Sequence, residues 1–213
     1  MRGGTSNILR YHALTMTAAR RTATAPRTAR HAPPGRNRVR IVGGAWRSRL
    51  VRFPPAAELR PTPDRVRETL FNWLGQRLDG LAALDLFAGS GALGFEALSR
   101  GASRAVLVER DRHVAAALRA AARELGAAGA QIVEGDALAY LARTSERFDV
   151  VFVDPPYASG LAARALAALP GRLNPRGRVY VESAEPIEPC PPWHALREGR
   201  AGAVRYALFG LTP

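Results

Sequence analysis

Five apolar segments between residues 81 and 183 alternate with segments of helical pattern, and this alternation restricts the fold more than any other feature. The predicted strands are 81–87, 104–109, 130–134, 148–153 and 177–183, and the predicted helices between them are 91–100, 111–125, 136–143 and 160–169. Strands that are apolar nearly throughout, each followed by a helix, indicate a parallel sheet covered on both faces. Residues 193–210 read as two further strands around a glycine-containing turn. The sequence therefore predicts an α/β fold whose sheet is completed by an antiparallel hairpin.

Two segments precede this α/β domain of residues 81–213. Residues 1–38 contain no acid and show no apolar period, so we expect a disordered basic tail, although the composition is also typical of an organellar transit peptide. Residues 39–80 predict a short β-hairpin followed by a helix within 60–78. In that helix Thr62 is expected as the N-cap and Pro63 as the first helical residue.

The 31 basic residues are all arginine, and nine of them lie in the first 40 positions. A basic tail is typical of proteins that bind nucleic acid or another polyanion. In the hairpin and helix segment, the candidate phosphate contacts are Arg47, Arg49, Arg65 and Arg67. The alternative is that these four side chains form only a solvated surface.

Cysteine and apolar patterns exclude several classes of protein. Cys190 is the only cysteine and the four histidines are scattered, which excludes an intrachain disulfide and a cysteine-based metal site. No window approaches the roughly 18 uninterrupted apolar residues of a membrane span. We therefore expect a monomeric protein of a reducing compartment, the cytoplasm, with no metal and no membrane partner.

A glycine-rich loop follows the first predicted strand. Gly89, Gly91 and Gly94 form a G-x-G-x-x-G pattern, and Glu109 ends the next strand 20 residues after Gly89. Such glycines let the backbone approach a ligand at a helix N-terminus, and the acid can accept hydrogen bonds from ribose hydroxyls. The pattern alone allows a dinucleotide cofactor. The glycines can also be only a tight turn, and Glu109 only a cap for helix 111–125.

Two aspartates favour S-adenosylmethionine over a dinucleotide. Asp85, in the strand before the first glycine, can hold an ammonium group but would repel a pyrophosphate. Asp136, which follows the third strand, can accept from an adenine amino group, although it can equally cap helix 136–143. Because the carboxyl ends of parallel strands share one edge of the sheet, these acids are expected to lie close together.

The fourth strand ends in Asp154, Pro155, Pro156 and Tyr157. Both prolines lack an N–H and have a fixed φ, so this turn is stiff and presents a carboxylate and backbone carbonyls as acceptors. With the Tyr157 ring beside them, these acceptors suit a flat ligand that bears an amino group. A rigid loop in which Tyr157 only packs is the alternative.

Residues 39–209 resemble the bacterial 16S ribosomal RNA guanine-N2 methyltransferases of the RsmD type. The motifs that carry the resemblance are RIVGGAWRSRL, LRPTPDRVRETLFNWL, LDLFAGSGALGFEALSRGA, VERD, FDVVFVDPPY and VYVES. The resemblance implies a class I methyltransferase fold, which is a Rossmann-like, mostly parallel sheet of seven strands with a reversed last strand. Here the N-terminal hairpin and helix precede that sheet, and residues 81–213 form the catalytic domain.

The resemblance also implies site residues and a partner. S-adenosylmethionine would bind at Asp85, Gly89, Gly91, Glu109 and Asp136, and the guanine at Asp154, Pro155, Pro156 and Tyr157. The implied partner is 16S ribosomal RNA or the small ribosomal subunit. A DNA adenine or cytosine amino methyltransferase is the runner-up, but about 40 folded residues before the sheet leave no room for a separate target-recognition domain. A non-catalytic RNA-binding or assembly factor is disfavoured by the intact Asp154 and Tyr157.

Overall fold

The computed structural model describes residues 37–55, 62–156, 160–186 and 191–212. All but the last two residues of the predicted tail lie outside the described residues, as does Tyr157. Within the ranges given, no helix is both long enough and apolar enough to span a membrane.

The N-terminal segment forms the predicted hairpin and helix. Strands β1 (Arg38–Arg40) and β2 (Leu50–Arg52) pair antiparallel, and helix α1 spans Asp64–Trp73. The prediction that Thr62 caps this helix is wrong. Pro63 occupies the cap position with no side-chain hydrogen bond, and the Thr62 hydroxyl donates instead to the Asp154 carboxylate.

Strands and helices then alternate as predicted along the rest of the chain. They are β3 (Ala82–Asp85), α2 (Ala92–Ser99), β4 (Arg104–Glu109), α3 (Arg112–Leu125), β5 (Ala130–Glu134), α4 (Ala137–Arg143), β6 (Phe148–Val153), α5 (Leu161–Ala168), β7 (Leu173–Ser183), β8 (Trp193–Ala201) and β9 (Val204–Leu211). Strand β7 begins four residues before its predicted start at 177 because Leu173 pairs with Phe148 ahead of a register shift in the ladder.

The seven strands β3 to β9 form one sheet in the order β5-β4-β3-β6-β7-β9-β8. The first five of these strands run parallel, whereas β9 lies between β7 and β8 and is antiparallel to both. The predicted α/β fold with seven strands and a reversed last strand is therefore confirmed. Strand order reverses at β3, and in open α/β sheets a ligand binds at the carboxyl edge where this happens.

Apolar side chains cover both faces of the sheet. One layer contains Phe71 of α1, Phe95 of α2 and Phe152 of β6, each with no exposed surface. The opposite layer joins α4 and α5 to the sheet through residues such as Leu141 and Leu166. Burial on both faces explains why β3 and β6 are apolar along almost their whole length.

Candidate active site

A cavity of about 370 Å³ opens at the carboxyl ends of β3, β4, β5 and β6. Its polar lining includes Glu109, Asp111 and Asp136, and Gly89 and Pro156 complete it on the side of β3 and β6. The structure therefore brings four of the predicted site residues to one cavity, namely Gly89, Glu109, Asp136 and Pro156. Asp85, Gly91, Asp154 and Pro155 do not line it.

The glycine loop turns tightly because both Gly89 and Gly91 have positive φ, at 50° and 75°. A Cβ on Gly91 would lie 2.6 Å from Cδ2 of Leu118, so glycine is required there for packing as well as for backbone geometry. Gly91 occupies the N-cap position of α2. The loop therefore brings Gly89 to the edge of the cavity directly before α2, while the Gly89 and Gly91 N–H groups donate to Glu109 and to the Ala88 carbonyl.

The Glu109 side chain is held by two backbone hydrogen bonds. Gly89 N–H donates to Oε2 at 2.9 Å, and Asp111 N–H donates to Oε1 at 2.8 Å. Because each carboxylate oxygen can accept more than one hydrogen bond, both still have capacity for a ligand hydroxyl. The alternative that Glu109 caps α3 is wrong, since Asp111 caps that helix by accepting from the His113 and Val114 N–H groups.

Asp136 both caps a helix and lines the cavity, and its contact with an adenine amino group stays a prediction. Its Oδ1 caps α4 by accepting from Ala139 N–H at 2.9 Å, and the residue also lines the cavity. The cap uses one oxygen, so the carboxylate retains acceptor capacity for a ligand amino group.

Asp85 is almost fully buried at the end of β3, with 2% of its surface exposed. Its Oδ2 accepts from Gly94 N–H at 2.9 Å, which ties the first turn of α2 to the strand. Burial raises the pKa of Asp85 to about 7, against the lowering effect of the Gly94 hydrogen bond, and the charges of Asp154 and Glu109 add to the rise. Its contact with a cofactor ammonium group stays a prediction.

Asp154 lies directly after β6 and is half-buried. Thr62 donates its hydroxyl proton to Asp154 Oδ2 at 3.1 Å, across 92 residues of sequence. Burial raises the pKa of Asp154 to about 6, although the Thr62 hydrogen bond lowers it. Pro155 is buried and Pro156 half-buried, so the turn is packed in place.

Two residues near Asp154 were not among the predicted site residues. Thr62 is 5% exposed and was interpreted as a helix cap, whereas Glu182 is 3% exposed in β7. Tyr180 donates its hydroxyl to Glu182 Oε1 at 2.9 Å. The one sequence signal for Glu182 is an acid that ends an apolar run, Val179, Tyr180 and Val181, in a strand whose carboxyl end meets the same edge.

Arg67 does not contact RNA, because its side chain has no exposed surface. It pairs with Glu96 at 3.1 Å and with Asp64 at 2.6 Å, and it donates to the backbone oxygens of Thr62 and Arg40. The prediction of a phosphate contact at Arg67 is wrong. Its buried guanidinium instead joins the hairpin, α1 and α2.

The other three arginines are exposed but lie at different ends of the sheet. Arg49 donates to the Glu124 and Leu125 carbonyls at the C-terminus of α3, and Arg47 borders a cleft with Arg77, which precedes β3. Both positions are at the amino edge of the strands, opposite the cavity, since α3 runs antiparallel to its neighbouring strands. Arg65 lies in the first turn of α1, three residues after Thr62, and is the best placed to meet a substrate at Asp154.

Comparison with known proteins identifies the family. A family model described as conserved hypothetical protein 95 matches residues 39–210. Ribosomal RNA small subunit methyltransferase D of Escherichia coli K12 is 44% identical over 180 residues, which cover 82% of this chain and 91% of that protein. The chain belongs to this RsmD family. It is therefore a methyltransferase, as the sequence resemblance implied.

Other members and solved structures agree with the RsmD assignment. The ribosomal RNA small subunit methyltransferase D of Haemophilus influenzae is 39% identical, and the match covers 83% of this chain and 96% of that protein. A putative methyltransferase of Escherichia coli, yhhF, superposes with a TM-score of 0.74 at 44% identity over 82% of this chain and 98% of its own. An RNA methyltransferase of Salinibacter ruber in complex with S-adenosyl-L-homocysteine shares the fold, with a TM-score of 0.59 at 18% identity over 72% of this chain and 94% of its own.

Proposed function

We propose that this chain transfers the methyl group of S-adenosylmethionine to the exocyclic N2 of a guanine in small-subunit ribosomal RNA. The observation that carries the proposal is the Asp154 carboxylate, held by Thr62 at the carboxyl edge beside the cavity that Glu109 and Asp136 line. The names of the relatives support ribosomal RNA as the substrate. The amino group of guanine fits the acceptors that the Asp154 turn presents.

The residues around the cavity fit S-adenosylmethionine. Glu109 can accept from ribose hydroxyls and Asp136 from the adenine amino group, while Val108 and Val114 supply apolar surface for the adenine ring. Three carboxylates and one arginine, Arg110, line the cavity, so its net negative charge favours a cationic ligand over a pyrophosphate. About 370 Å³ is within the range of small-molecule sites.

When bound, S-adenosylmethionine supplies an electrophilic methyl group on a sulfonium sulfur. The protein must increase the nucleophilicity of the target nitrogen, whose lone pair is delocalised into the purine ring. Asp154 accepts one amine N–H and the Asp154 or Pro155 carbonyl the other, which favours a pyramidal nitrogen with a localised lone pair. Because neither proline has an N–H, the turn offers few donors that compete for these acceptors. Positioning and electrostatics therefore provide most of the rate enhancement.

Labelled methyl transfer with nucleoside analysis tests the proposal against its alternatives. The substrates are small ribosomal subunits, naked 16S ribosomal RNA and duplex DNA. N2-methylguanosine in either RNA substrate is the expected product. Methylated adenine or cytosine in the DNA would contradict the proposal in favour of a DNA amino methyltransferase, and no transfer to any substrate would favour a non-catalytic binding protein.

Glu109→Ala should weaken S-adenosylmethionine binding by roughly 10- to 100-fold, as expected for loss of a hydrogen bond to a charged acceptor. RNA affinity should be unchanged. The measurement is calorimetric titration with the cofactor. Glu134→Ala is the matched control, because Glu134 also ends a neighbouring strand but pairs at the surface with Arg119 and does not line the cavity. Equal cofactor affinity in both variants would contradict the ribose role of Glu109.

Arg65→Ala should weaken RNA binding and reduce the slope of log affinity against log salt by about one unit, as for the loss of one phosphate contact. RNA binding is measured at several salt concentrations. Arg77→Ala is the control, since Arg77 is 80% exposed but pairs with Asp79 at the opposite edge of the sheet. An unchanged slope for Arg65→Ala would show that Arg65 contacts no phosphate and belongs only to the solvated surface.

A further inference from the structure

Three side chains lie behind Asp154 and form a buried set that we name the backing cluster, consisting of Thr62, Tyr180 and Glu182. Thr62 donates to Asp154, and Tyr180 donates to Glu182. Thr62 is also within hydrogen-bonding reach of Glu182. Arg67 holds the backbone of Thr62 by donating to its carbonyl oxygen at 3.2 Å. Thr62 therefore connects the segment before α1 both to Asp154 and to Glu182 at the end of β7.

Glu182 has acids and neutral phenols around it. Tyr180 lies on the same face of β7, Tyr206 is its cross-strand partner on β9, and Asp154 follows the adjacent strand β6. Beyond Asp154, on β3, lies Asp85. Within the described part of the chain Glu182 makes no ion pair. A carboxyl group that is 3% exposed and has no cation beside it is stabilised by taking up a proton.

We propose that Thr62 and Glu182 are positioning residues for Asp154 in the methyl transfer proposed above, with Glu182 present as a neutral carboxylic acid. The inference rests on the proposed function for its catalytic consequence. The protonation of Glu182 does not depend on it.

The hydrogen-bond directions follow from the number of protons available. Thr62 has one hydroxyl proton, which goes to Asp154, so its oxygen can accept a proton from a neutral Glu182. Tyr180 donates to the remaining Glu182 oxygen. Ionised Glu182 would instead compete with Asp154 for the Thr62 proton. Burial, and then the negative charge of Asp154, raises the pKa of Glu182 to about 8, although the hydrogen bonds with Tyr180 and Thr62 lower it, so the protonated form predominates at pH 7.

The neutral state of Glu182 also defines the path of the released proton. As the target nitrogen forms its bond to the methyl carbon, the carbon–sulfur bond breaks and its electron pair goes to sulfur. The nitrogen then carries one proton too many, and Asp154, as a carboxylate, accepts it and later releases it to water. Glu182 already holds a proton and is not the acceptor. The backing cluster thus orients Asp154 and leaves a single negative charge at this end of the site.

Single-turnover methyl transfer as a function of pH tests the role of Thr62. The Thr62 hydrogen bond stabilises ionised Asp154 and so lowers its pKa, from which it follows that removing the bond raises that pKa. In Thr62→Val we expect the acid limb of the profile of rate against pH to move to higher pH by about one unit. At pH values above the shifted limb the transfer rate should partly recover. Thr62→Ser keeps the hydroxyl and should keep the wild-type limb. An unmoved limb in Thr62→Val would overturn the positioning role.

Two Glu182 variants test whether methyl transfer requires Glu182 as a neutral acid or as a carboxylate. Glu182→Gln preserves an acceptor for Tyr180 and a donor for Thr62, so the transfer rate at pH 7 should stay within about threefold of wild type. Glu182→Ala removes both groups and should lower kcat at least about tenfold without changing cofactor affinity. A loss in Glu182→Gln as large as that in Glu182→Ala would show that the negative charge is required and would overturn the proposal.

Infrared spectroscopy tests the protonation of Glu182 without RNA. The protein at pH 7 should show carbonyl stretches of buried protonated carboxyl groups, to which Asp85 also contributes. The Glu182 component of this signal should be lost in Glu182→Gln and retained in Thr62→Ser. No band difference between the wild type and Glu182→Gln would overturn the neutral-acid assignment. If the band differs but no substrate is methylated, Glu182 is a neutral acid and the proposed function is wrong. The two proposals can therefore fail independently of each other.

Discussion

Asp154→Ala should lower kcat for methyl transfer by roughly 10²–10³-fold, as for removal of one preorganised transition-state group. The lost interaction strengthens as the amine becomes pyramidal and develops positive charge, so the effect belongs to kcat rather than to binding. Cofactor affinity should be unchanged, because Glu109 and the glycine loop are held by their own backbone hydrogen bonds. Single-turnover transfer and calorimetric cofactor binding measure the two quantities separately.

Asp154→Asn is the graded control for this prediction. Its amide oxygen can still accept a hydrogen bond but carries no full charge, so its rate should lie between those of the wild type and Asp154→Ala. Below about pH 6 the wild-type rate should fall toward that of Asp154→Asn, since the folded-state pKa of Asp154 is about 6 and protonation removes the acceptor charge. If Asp154→Ala binds the cofactor normally and transfers methyl groups at nearly the wild-type rate, this turn is not the catalytic site.

Arg67→Ala should lower the free energy of unfolding by about 3 kcal/mol, the lower end for breaking a buried ion pair, because the fully buried Glu96 then keeps Arg100 as its one cationic partner. The Arg67 guanidinium also satisfies Asp64 and the Thr62 and Arg40 carbonyl oxygens, so several elements lose a donor at once. Urea unfolding followed by circular dichroism measures the change. Since Arg67 holds the backbone of Thr62, the variant should also lose methyl-transfer rate at temperatures where it remains folded.

Arg40→Ala is the matched control for Arg67→Ala. Arg40 also pairs with Asp64, at 2.8 Å, but its side chain is 58% exposed, so its loss should cost only about 0–1 kcal/mol. Equal destabilisation by Arg67→Ala and Arg40→Ala would contradict this role of the buried pair.

The positions of Gly89, Glu109 and Asp136 could be predicted because each follows or ends a strand of a parallel sheet. Apolar runs such as Val150 to Val153 define a strand locally, and the connectivity of the alternating pattern brings the carboxyl ends of the strands to one edge. Periodicity and spacing therefore contain enough information for the fold and for these three residues of the cavity lining. The same logic anticipated the position of Asp154, since β6 lies next to β3.

The roles of Thr62, Arg67 and Glu182 could not be predicted in this way. Thr62 has the local signature of a helix cap, and Arg67 has that of a solvated arginine, but each takes its partner from far along the chain, at separations of 92 residues for Asp154 and 29 for Glu96. Such contacts depend on how α1 packs against α2 and the edge of the sheet, which no local pattern records.

The sequence by itself thus determined the order of strands and helices, the glycine loop and the acids at the carboxyl edge, because these follow from local periodicity and strand connectivity. Only the tertiary structure decided which charges are buried and which groups surround Asp154. Burial and long-range packing set the desolvation and the hydrogen-bond partners of a side chain. These two quantities make Arg67 a buried cation, and they are the basis for proposing Asp154 as a base and Glu182 as a neutral acid.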